Sequence, residues 1–505
     1  MTLDDVNAPA PALRCKPTGH RIGCMPDSSS QYGLWLLAID WLIRIAALFW
    51  IPTRCTPAAA RSWLLLVGFV PLLGLPAYLA FGHPWLSGQR RSRQEQASTL
   101  IREAQRPLTA LRWHPPDDGR GIADDLARLA ERIGDFMPMA GNSIILLDDY
   151  DASIDALVSA IDTAESEIHL LYYLMFDDAV GAAITDALKR ANARGVRCRL
   201  LLDAIGAKRA LRAYGKSLRH AGVDVRSILD RGLSWRRSAR LDLRNHRKIA
   251  VIDKRIGFIG SQNLACAEFV PGFPNRELVA RIEGPVVVQL EALFASDWYA
   301  ESGEALTVAV PASDAQHPTH VAGNAPAQLL PSGPAFPFEN ARNIVVSSIQ
   351  RAQRRVTLVT PYFVPDDATL HTLCVAALSG IEVQLVLSHS NNQRLTAWAQ
   401  ASYYDDLLRS GVRIALYRPH FLHAKHLSVD DDVALLGSIN LDIRSFALNA
   451  EAGILCYDHA VITQLHAIEA EYLAASDNLD LDRWRGRPAW RRSIEGIARL
   501  ADSFL

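Results

Sequence analysis

No Cys-x2-Cys pair occurs in the 505 residues, and the seven cysteines (15, 24, 55, 198, 266, 374 and 456) are scattered and odd in number. Neither a zinc site nor a disulfide framework is therefore indicated, and a reducing compartment suits the pattern. An excess of either charge is also missing, with 53 Lys+Arg against 54 Asp+Glu. A chain that coats nucleic acid carries a basic surplus, so no nucleic-acid partner is expected.

Long apolar runs, by contrast, are present near the start. Trp63 to Phe81 carries no charge and is about the length needed to cross a bilayer. Its Gly68, Pro71, Gly74 and Pro76 would harm a soluble helix but are tolerated in a membrane one. Tyr32 to Ile51 holds Asp40 and Arg44, four residues apart, so the two charges can pair on one helix face. Trp35, Trp41 and Trp50 suit an interfacial or spanning helix. A cleaved signal sequence fits poorly, because the run starts late, contains charges and is followed by another. The expectation is a two-helix transmembrane hairpin over 31–83 (about 32–51 and 63–81) after a flexible tail, 1–30. Arg90, Arg91, Arg93, Arg102 and Arg106 follow the second run, while Arg54 and Arg61 lie in the connection. The positive-inside rule then places the large C-terminal part in the cytoplasm, and Arg14, Lys16 and Arg21 in the tail agree.

The rest of the chain reads as a duplicated α/β unit. In the first copy, Glu167 to Tyr173 is a strand, a helix carries Val180, Ile184 and Leu188 on one face, and Val196 to Leu202 is the next strand. In the second, Arg355 to Thr360, a helix over Ala368 to Leu378 and the alternating Ile381 to Leu387 repeat that order. Each continues through a helix closed by glycine (Gly222, Gly411) into a further strand. Such alternation predicts a mixed or largely parallel sheet covered by helices. The expected domains are 141–303 and 341–505, with a helical connector over 84–140. Residues 304–340, rich in Pro, Gly and Ala, are expected to form a linker.

Both copies carry the same chemistry. The first holds His246-x-Lys248-x4-Asp253 and then Gly260-Ser261-Gln262-Asn263; the second holds His423-x-Lys425-x4-Asp430 and then Gly437-Ser438-Ile439-Asn440. If the His-x-Lys stretch is a strand, i and i+2 share a face, so His and Lys emerge side by side. Histidine near neutral pH can attack or carry a proton, while lysine holds negative charge. Ser261, Asn263, Ser438 and Asn440 can add a hydroxyl and an amide toward the same anion, and a phosphodiester requires such donors. Glu277 (in Asn275-Arg-Glu277) and Glu451 (in Asn449-Ala-Glu451) recur at nearly the same offset from each His, as candidates to orient the imidazoles. Asp253 and Asp430 complete the motifs, with capping of a turn or bracing of the lysine as the structural alternative. Lys208, Arg209, Arg212 and Lys216, then Arg231, Trp235, Arg236, Arg237 and Arg240, form a basic stretch suited to anionic headgroups or to an ordinary solvated loop. Tyr362 and Phe363 either line an entrance or belong to the core.

The paired motifs resemble the phospholipase D superfamily, and the longer match resembles bacterial cardiolipin synthases. It is carried by Leu243 to Asp253, Arg281 to Val288, Asp297-Trp-Tyr299, Thr360 to Pro365 and Gly437 to Ser445. The resemblance implies two tandem phospholipase D-like α/β sandwich domains and a two-step exchange using neither cofactor nor metal. In it one histidine takes a phosphatidyl group from phosphatidylglycerol, and a second phosphatidylglycerol then accepts it. In relatives the nucleophile is often assigned to the first motif, which points to His246. The resemblance also implies a multi-pass protein of the bacterial inner membrane, embedded among anionic lipids. Water or another lipid as acceptor, and a nuclease, stand as alternatives; oligomeric state is not readable.

Overall fold

The computed structural model describes residues 28–55, 57–82, 88–115, 121–229, 242–308 and 322–500. The tail up to residue 27, the basic residues Arg231 to Arg240 and part of the expected linker lie outside them. The chain divides into two compact units, Met1–His83 and Pro84–Leu505.

In the first unit, helix α1 (Ser28–Trp50) is, among the described residues, the one helix long and apolar enough to cross a membrane. Asp40 and Arg44 pair within it at 2.8 Å, as their spacing predicts. The second apolar run departs from expectation. It is not one span but two short helices, α2 (Pro57–Phe69) and α3 (Pro71–Phe81). Pro71 has no amide hydrogen to continue the ladder and disfavours helical backbone at Val70, so α2 ends at Phe69 and Val70 becomes the N-cap of α3. The chain then folds back. A Cβ on Gly74 would sit 2.8 Å from the Cα of Val67, so only glycine lets the arms approach this closely. One turn further from the bend, the rings of Trp63 and Tyr78 meet edge-on at 5.6 Å. At the open end the Cys55 thiol donates to the Gly82 carbonyl at 3.1 Å. The two helices thus form an antiparallel hairpin whose return end lies beside the end of α1.

In the second unit, fifteen strands among the described residues build one mixed sheet. The first half contributes β1 (Met139–Leu147), β2 (Glu167–Tyr172), β3 (Arg197–Asp203), β4 (Asp224–Ile228), β5 (Lys248–Ile252), β6 (Ile256–Gly260) and β8 (Val279–Glu283). A short β7 (Asn275–Arg276) lies outside the sheet. The second half contributes β9 (Ala325–Ser332), β10 (Arg355–Thr360), β12 (Glu382–Ser388), β13 (Arg413–Tyr417), β15 (His426–Val429), β16 (Val433–Gly437), β18 (Glu451–Cys456) and β19 (Ser476–Asn478). The short β11 (Phe363–Val364), β14 (Phe421–Leu422) and β17 (Leu441–Asp442) again stand apart from it.

The order β4-β3-β2-β5-β6-β8-β1 is answered by β9-β18-β16-β15-β10-β12-β13, with β19 added at the far edge. The duplication is therefore a pseudo-two-fold, with its seam where β1 and β9 run antiparallel, Met139 against Ala327. One apolar core crosses that seam, holding Phe294 and Trp298 of the first half with Ile454 and Leu465 of the second.

Two boundaries change as a result. The expected linker contains β9, a fully buried strand. Its prolines mislead because they contribute through their carbonyls: Pro326 accepts from the Tyr457 amide and Pro331 from Asn340 Nδ2 at 2.9 Å. The expected connector is likewise part of the fold. Ile101 and Leu108 enter the core, and buried Gln105 accepts from the Met137 amide at 2.9 Å and from Gln289 Nε2 at 3.0 Å.

Candidate active site

Each motif histidine lies just before a sheet strand, not within it: β5 begins at Lys248 and β15 at His426. The approach to each strand is stitched across the seam. The His246 amide donates to the Ala450 carbonyl at 2.8 Å, and the Ala450 amide to Arg244 at 2.9 Å. In the symmetric position β14 pairs with β7, and the His423 amide donates to the Arg276 carbonyl at 2.8 Å. Each histidine segment is therefore hydrogen-bonded to the residue preceding the Asn-x-Glu glutamate of the opposite half.

That stitching crosses the expected pairs. His246 Nδ1 lies 3.0 Å from Glu451, and His423 Nδ1 lies 2.7 Å from Glu277. The within-copy pairing of His246 with Glu277, and of His423 with Glu451, is corrected: each carboxylate serves the other copy's imidazole. Both glutamates are essentially buried. Burial alone would raise them, but His246 and Lys248 hold Glu451 below its ordinary range, as His423 and Lys425 hold Glu277. An ionised carboxylate only accepts, so Nδ1 of each ring carries the proton and Nε2 presents its lone pair.

The remaining expected residues divide. Asn263 and Asn440 line one cavity of about 330 Å³ with His246 and His423. Lys248 and Lys425 sit beneath the histidines, 2 % and 1 % exposed, and donate to their carbonyls at 2.6 and 2.5 Å. Ser261 and Ser438 do not face that cavity. Ser438 Oγ donates to Glu451 at 2.5 Å, and Ser261 Oγ exchanges bonds with the Leu278 backbone, at 2.9 Å from its amide. Their expected place on the phosphate is thus corrected to one behind the carboxylates.

Asp253 and Asp430 are also corrected. They lie past the far ends of β5 and β15, with φ of 52° and 51°. Asp253 accepts from the amides of Glu165, Ser166 and Glu167, and Asp430 from those of Gln353, Arg354 and Arg355. Aspartate tolerates the left-handed region and here caps a neighbouring strand's start, away from the imidazoles.

Electrostatics prepare both rings. Burial lowers His246 and takes His423 down to about 4, so the neutral, attacking form is favoured, and most firmly for His423. Burial also lowers Lys248 to about 7 and Lys425 to about 8. A buried lysine so poised gains most when an anion arrives beside it.

Several cavity residues were not singled out by sequence reasoning. Tyr173 places its ring 4.9 Å from that of His246. Arg244 and Arg444 line the cavity, as does Asp442, which burial raises to about 6. The available signal was their place in the stretches that carry the resemblance: Arg244 lies in Leu243 to Asp253, two before the first histidine, and Asp442 and Arg444 lie in Gly437 to Ser445, two and four residues past Asn440. Of the two aromatics left open, Tyr362 lines the cavity, donating to Asn392 at 2.8 Å, and Phe363 is core.

The family profile described as "Cardiolipin synthase, PLD-like domain" matches residues 157–298 and 345–471. Cardiolipin synthase A of Pectobacterium carotovorum subsp. carotovorum is 33% identical over 471 residues, covering 92% of this chain and 96% of that one. Cardiolipin synthase A of Yersinia pestis is 32% identical over 476 residues, covering 93% and 96%. Among solved structures, the phosphatidylserine synthase of Haemophilus influenzae superposes with a TM-score of 0.55 at 15% identity. It covers 75% of this chain and 100% of that one, a likeness of fold.

Proposed function

Because the chain belongs to the cardiolipin synthase family of phospholipase D-like proteins, we propose that it joins two phosphatidylglycerol molecules into cardiolipin, releasing glycerol. It is an enzyme that transfers phosphatidyl groups. One observation carries the finer reading: two imidazoles, each oriented through Nδ1 by a buried glutamate, face a single cavity.

One Nε2 attacks phosphorus and forms a phosphatidyl-histidine while the other ring protonates the departing glycerol. The second ring then takes the proton of the incoming hydroxyl, whose oxygen displaces the histidine. Lys248, Lys425, Asn263 and Asn440 hold the phosphoryl oxygens as charge develops. One phosphodiester replaces another, so the exchange needs no nucleotide. The test is detergent-purified protein with phosphatidylglycerol alone. Cardiolipin with equimolar glycerol supports the reading; phosphatidic acid alone, or dependence on a CDP-linked lipid, overturns it.

For the membrane, α1 crosses once, and the α2–α3 hairpin enters the leaflet at which α1 ends and returns to that side. Each arm is too short to cross: 13 residues of α2 rise about 20 Å against a core of about 30 Å. The chain leaves the hairpin at Gly82 beside Cys55, on the side where α1 ended. Arg54, with Arg90, Arg91, Arg93, Arg102 and Arg106 further along the chain, outweighs Arg14, Lys16 and Arg21 of the tail, so the positive-inside rule makes the Arg54 face cytoplasmic and puts the tail opposite, against the expectation drawn from those three tail residues.

A further inference from the structure

The pseudo-two-fold makes the two histidines equivalent in their own shells, but the cavity around them is not symmetric. By motif register, Arg244 corresponds to Phe421, each two residues before its histidine. Arg444 corresponds to Ala267, each seven residues after its glycine. The cavity wall therefore carries two guanidiniums with no counterpart at the symmetric positions, where Phe421 and alanine stand.

Both arginines belong to the His246 side. Arg244 precedes that histidine by two residues and its carbonyl takes part in the same seam. Arg444 is held against the same loop: its Nη2 donates to the Asp242 carbonyl at 2.7 Å, with Nη1 3.3 Å from the Asp242 carboxylate. Tyr173, in ring contact with His246, feels both; burial and Asp203 raise its phenol while Arg244 and Arg444 oppose them. On the other side, Phe421 packs on His423 at 5.8 Å and on Tyr362 at 5.9 Å, an aromatic wall. Asp442 is the carboxyl that shares the cavity, fixed as the cap of a short helix by the Ser445 amide at 2.6 Å.

The reaction supplies a reason for this asymmetry. The phosphoryl group being transferred is held between the histidines. A donor lipid has no second phosphate, and departing glycerol has none. The acceptor does have one, a glycerol unit away from its attacking hydroxyl. We propose that Arg244 and Arg444 bind the phosphodiester of the acceptor lipid, and that His246 is consequently the acid–base and His423 the nucleophile. This rests on the transferase reading above and replaces the expectation that His246 attacks.

The steps balance when His246 enters the cycle as an imidazolium, paired through Nδ1 with Glu451 and carrying on Nε2 the proton taken from the previous acceptor hydroxyl. His423 Nε2 bonds to phosphorus, the P–O bond to glycerol breaks, and His246 gives its Nε2 proton to the glycerol oxygen. The acceptor's hydroxyl enters where glycerol left, its phosphate on the guanidiniums, which suit anionic phosphate oxygens through paired N–H donors. It gives its proton to His246, its oxygen bonds to phosphorus, and the P–N bond to His423 breaks. A water molecule has no use for the arginine pair, so the pair favours lipid transfer over hydrolysis.

The test lets two acceptors compete. Full-length protein in detergent receives phosphatidylglycerol and ethanol, and cardiolipin and phosphatidylethanol are measured together. Ethanol carries no phosphate. Arg244→Gln and Arg444→Gln are each expected to lower the cardiolipin-to-phosphatidylethanol ratio about tenfold, the weight of one charge-assisted contact. Arg244→Lys and Arg444→Lys are expected to recover most of the ratio. A ratio unchanged in both glutamine variants, or both products lost in proportion, overturns the acceptor site. Neither product from the native protein would instead defeat the transferase reading itself. For the roles, native protein given labelled phosphatidylglycerol is quenched in alkaline denaturant and mapped. Label on the His423 peptide is expected; label on His246, or on neither, overturns the assignment.

Discussion

The imidazole of His246 takes its orientation from Glu451, 3.0 Å from Nδ1 and 205 residues further along the chain. Its counterpart, His423, takes its own from Glu277 at 2.7 Å. Neither half of the duplication contains a complete catalytic pair. A fragment holding one motif lacks the carboxylate that orients its histidine, so the proposed reaction requires both halves.

The crossed pairs predict a crossed spectroscopic response. In Glu451→Gln the tautomer of His246 changes while that of His423 stays, and Glu277→Gln does the reverse; nitrogen chemical shifts of labelled histidine read this directly. Each variant also loses activity by about 10²–10⁴-fold, as expected when a carboxylate that fixes a catalytic imidazole is neutralised. A response confined to the histidine of the same copy would refute the pairing.

Removing either imidazole is expected to stop turnover. His246→Ala and His423→Ala each lower kcat by about 10³-fold or more, and the double variant is scarcely worse than either single one, because the two rings act as one unit. Circular dichroism should show the fold retained. Strictly multiplicative losses would argue for independent roles.

The buried lysines set an alkaline limit. Lys248, at about 7, and Lys425, at about 8, are lowered by burial, so each is charged below its value and loses its charge as pH rises through it. Because the charged lysines are proposed to hold the phosphodiester, and the donating His246, itself lowered by burial, must carry a proton, kcat/KM is expected to be falling by the time pH passes through 7 to 8. On the acid side it falls as His423 takes a proton on approach to about 4. A profile flat from pH 6 to about 10, near the ordinary lysine value, would contradict this.

Asp253 and Asp430 are expected to matter for stability and not for chemistry. Asp253→Ala removes the acceptor of three strand-start amides and places alanine at a φ of 52°. Denaturant unfolding should show a loss of about 1–3 kcal/mol, with kcat of the folded fraction within about twofold. Asp253→Asn, which also tolerates that φ, should recover part of the loss. A fall in kcat of about a hundredfold with stability unchanged would put the aspartates back in the reaction.

Topology is open to chemical labelling. In a background without other cysteines, Cys15 in the tail is expected to react with an impermeant maleimide added to whole spheroplasts. Cysteines placed at Arg54 and at Arg102 are expected to react only after the membrane is opened. Labelling of the tail and of residue 102 from the same face would restore the two-span hairpin.

Much of the fold was legible locally because strand alternation and helix periodicity act over a few residues. The strands at β2, β3, β10 and β12 appear within one or two residues of their expected limits. The His-x-Lys repeats likewise announced two equivalent chemical groups. Composition failed where its usual meaning was overridden. Pro326 and Pro331 suggested a linker, yet their carbonyls are all that β9 asks of them at those points. The uncharged run from Trp63 to Phe81 suggested a span, yet Pro71 and Gly74 fold it in half.

The sequence by itself determined the reacting residue types, their duplication and the membrane-seeking start, because each is a property of neighbouring residues. Only the tertiary structure decided which glutamate serves which histidine, which residues support from behind, and which side of a near-symmetric cavity carries the arginines. Those are relations across the seam, between residues some two hundred positions apart. The offset from His246 to Glu277 is nearly the offset from His423 to Glu451, so spacing favours a pairing within each copy. The hydrogen bonds from His246 to Ala450 and from His423 to Arg276 impose the crossed pairing instead.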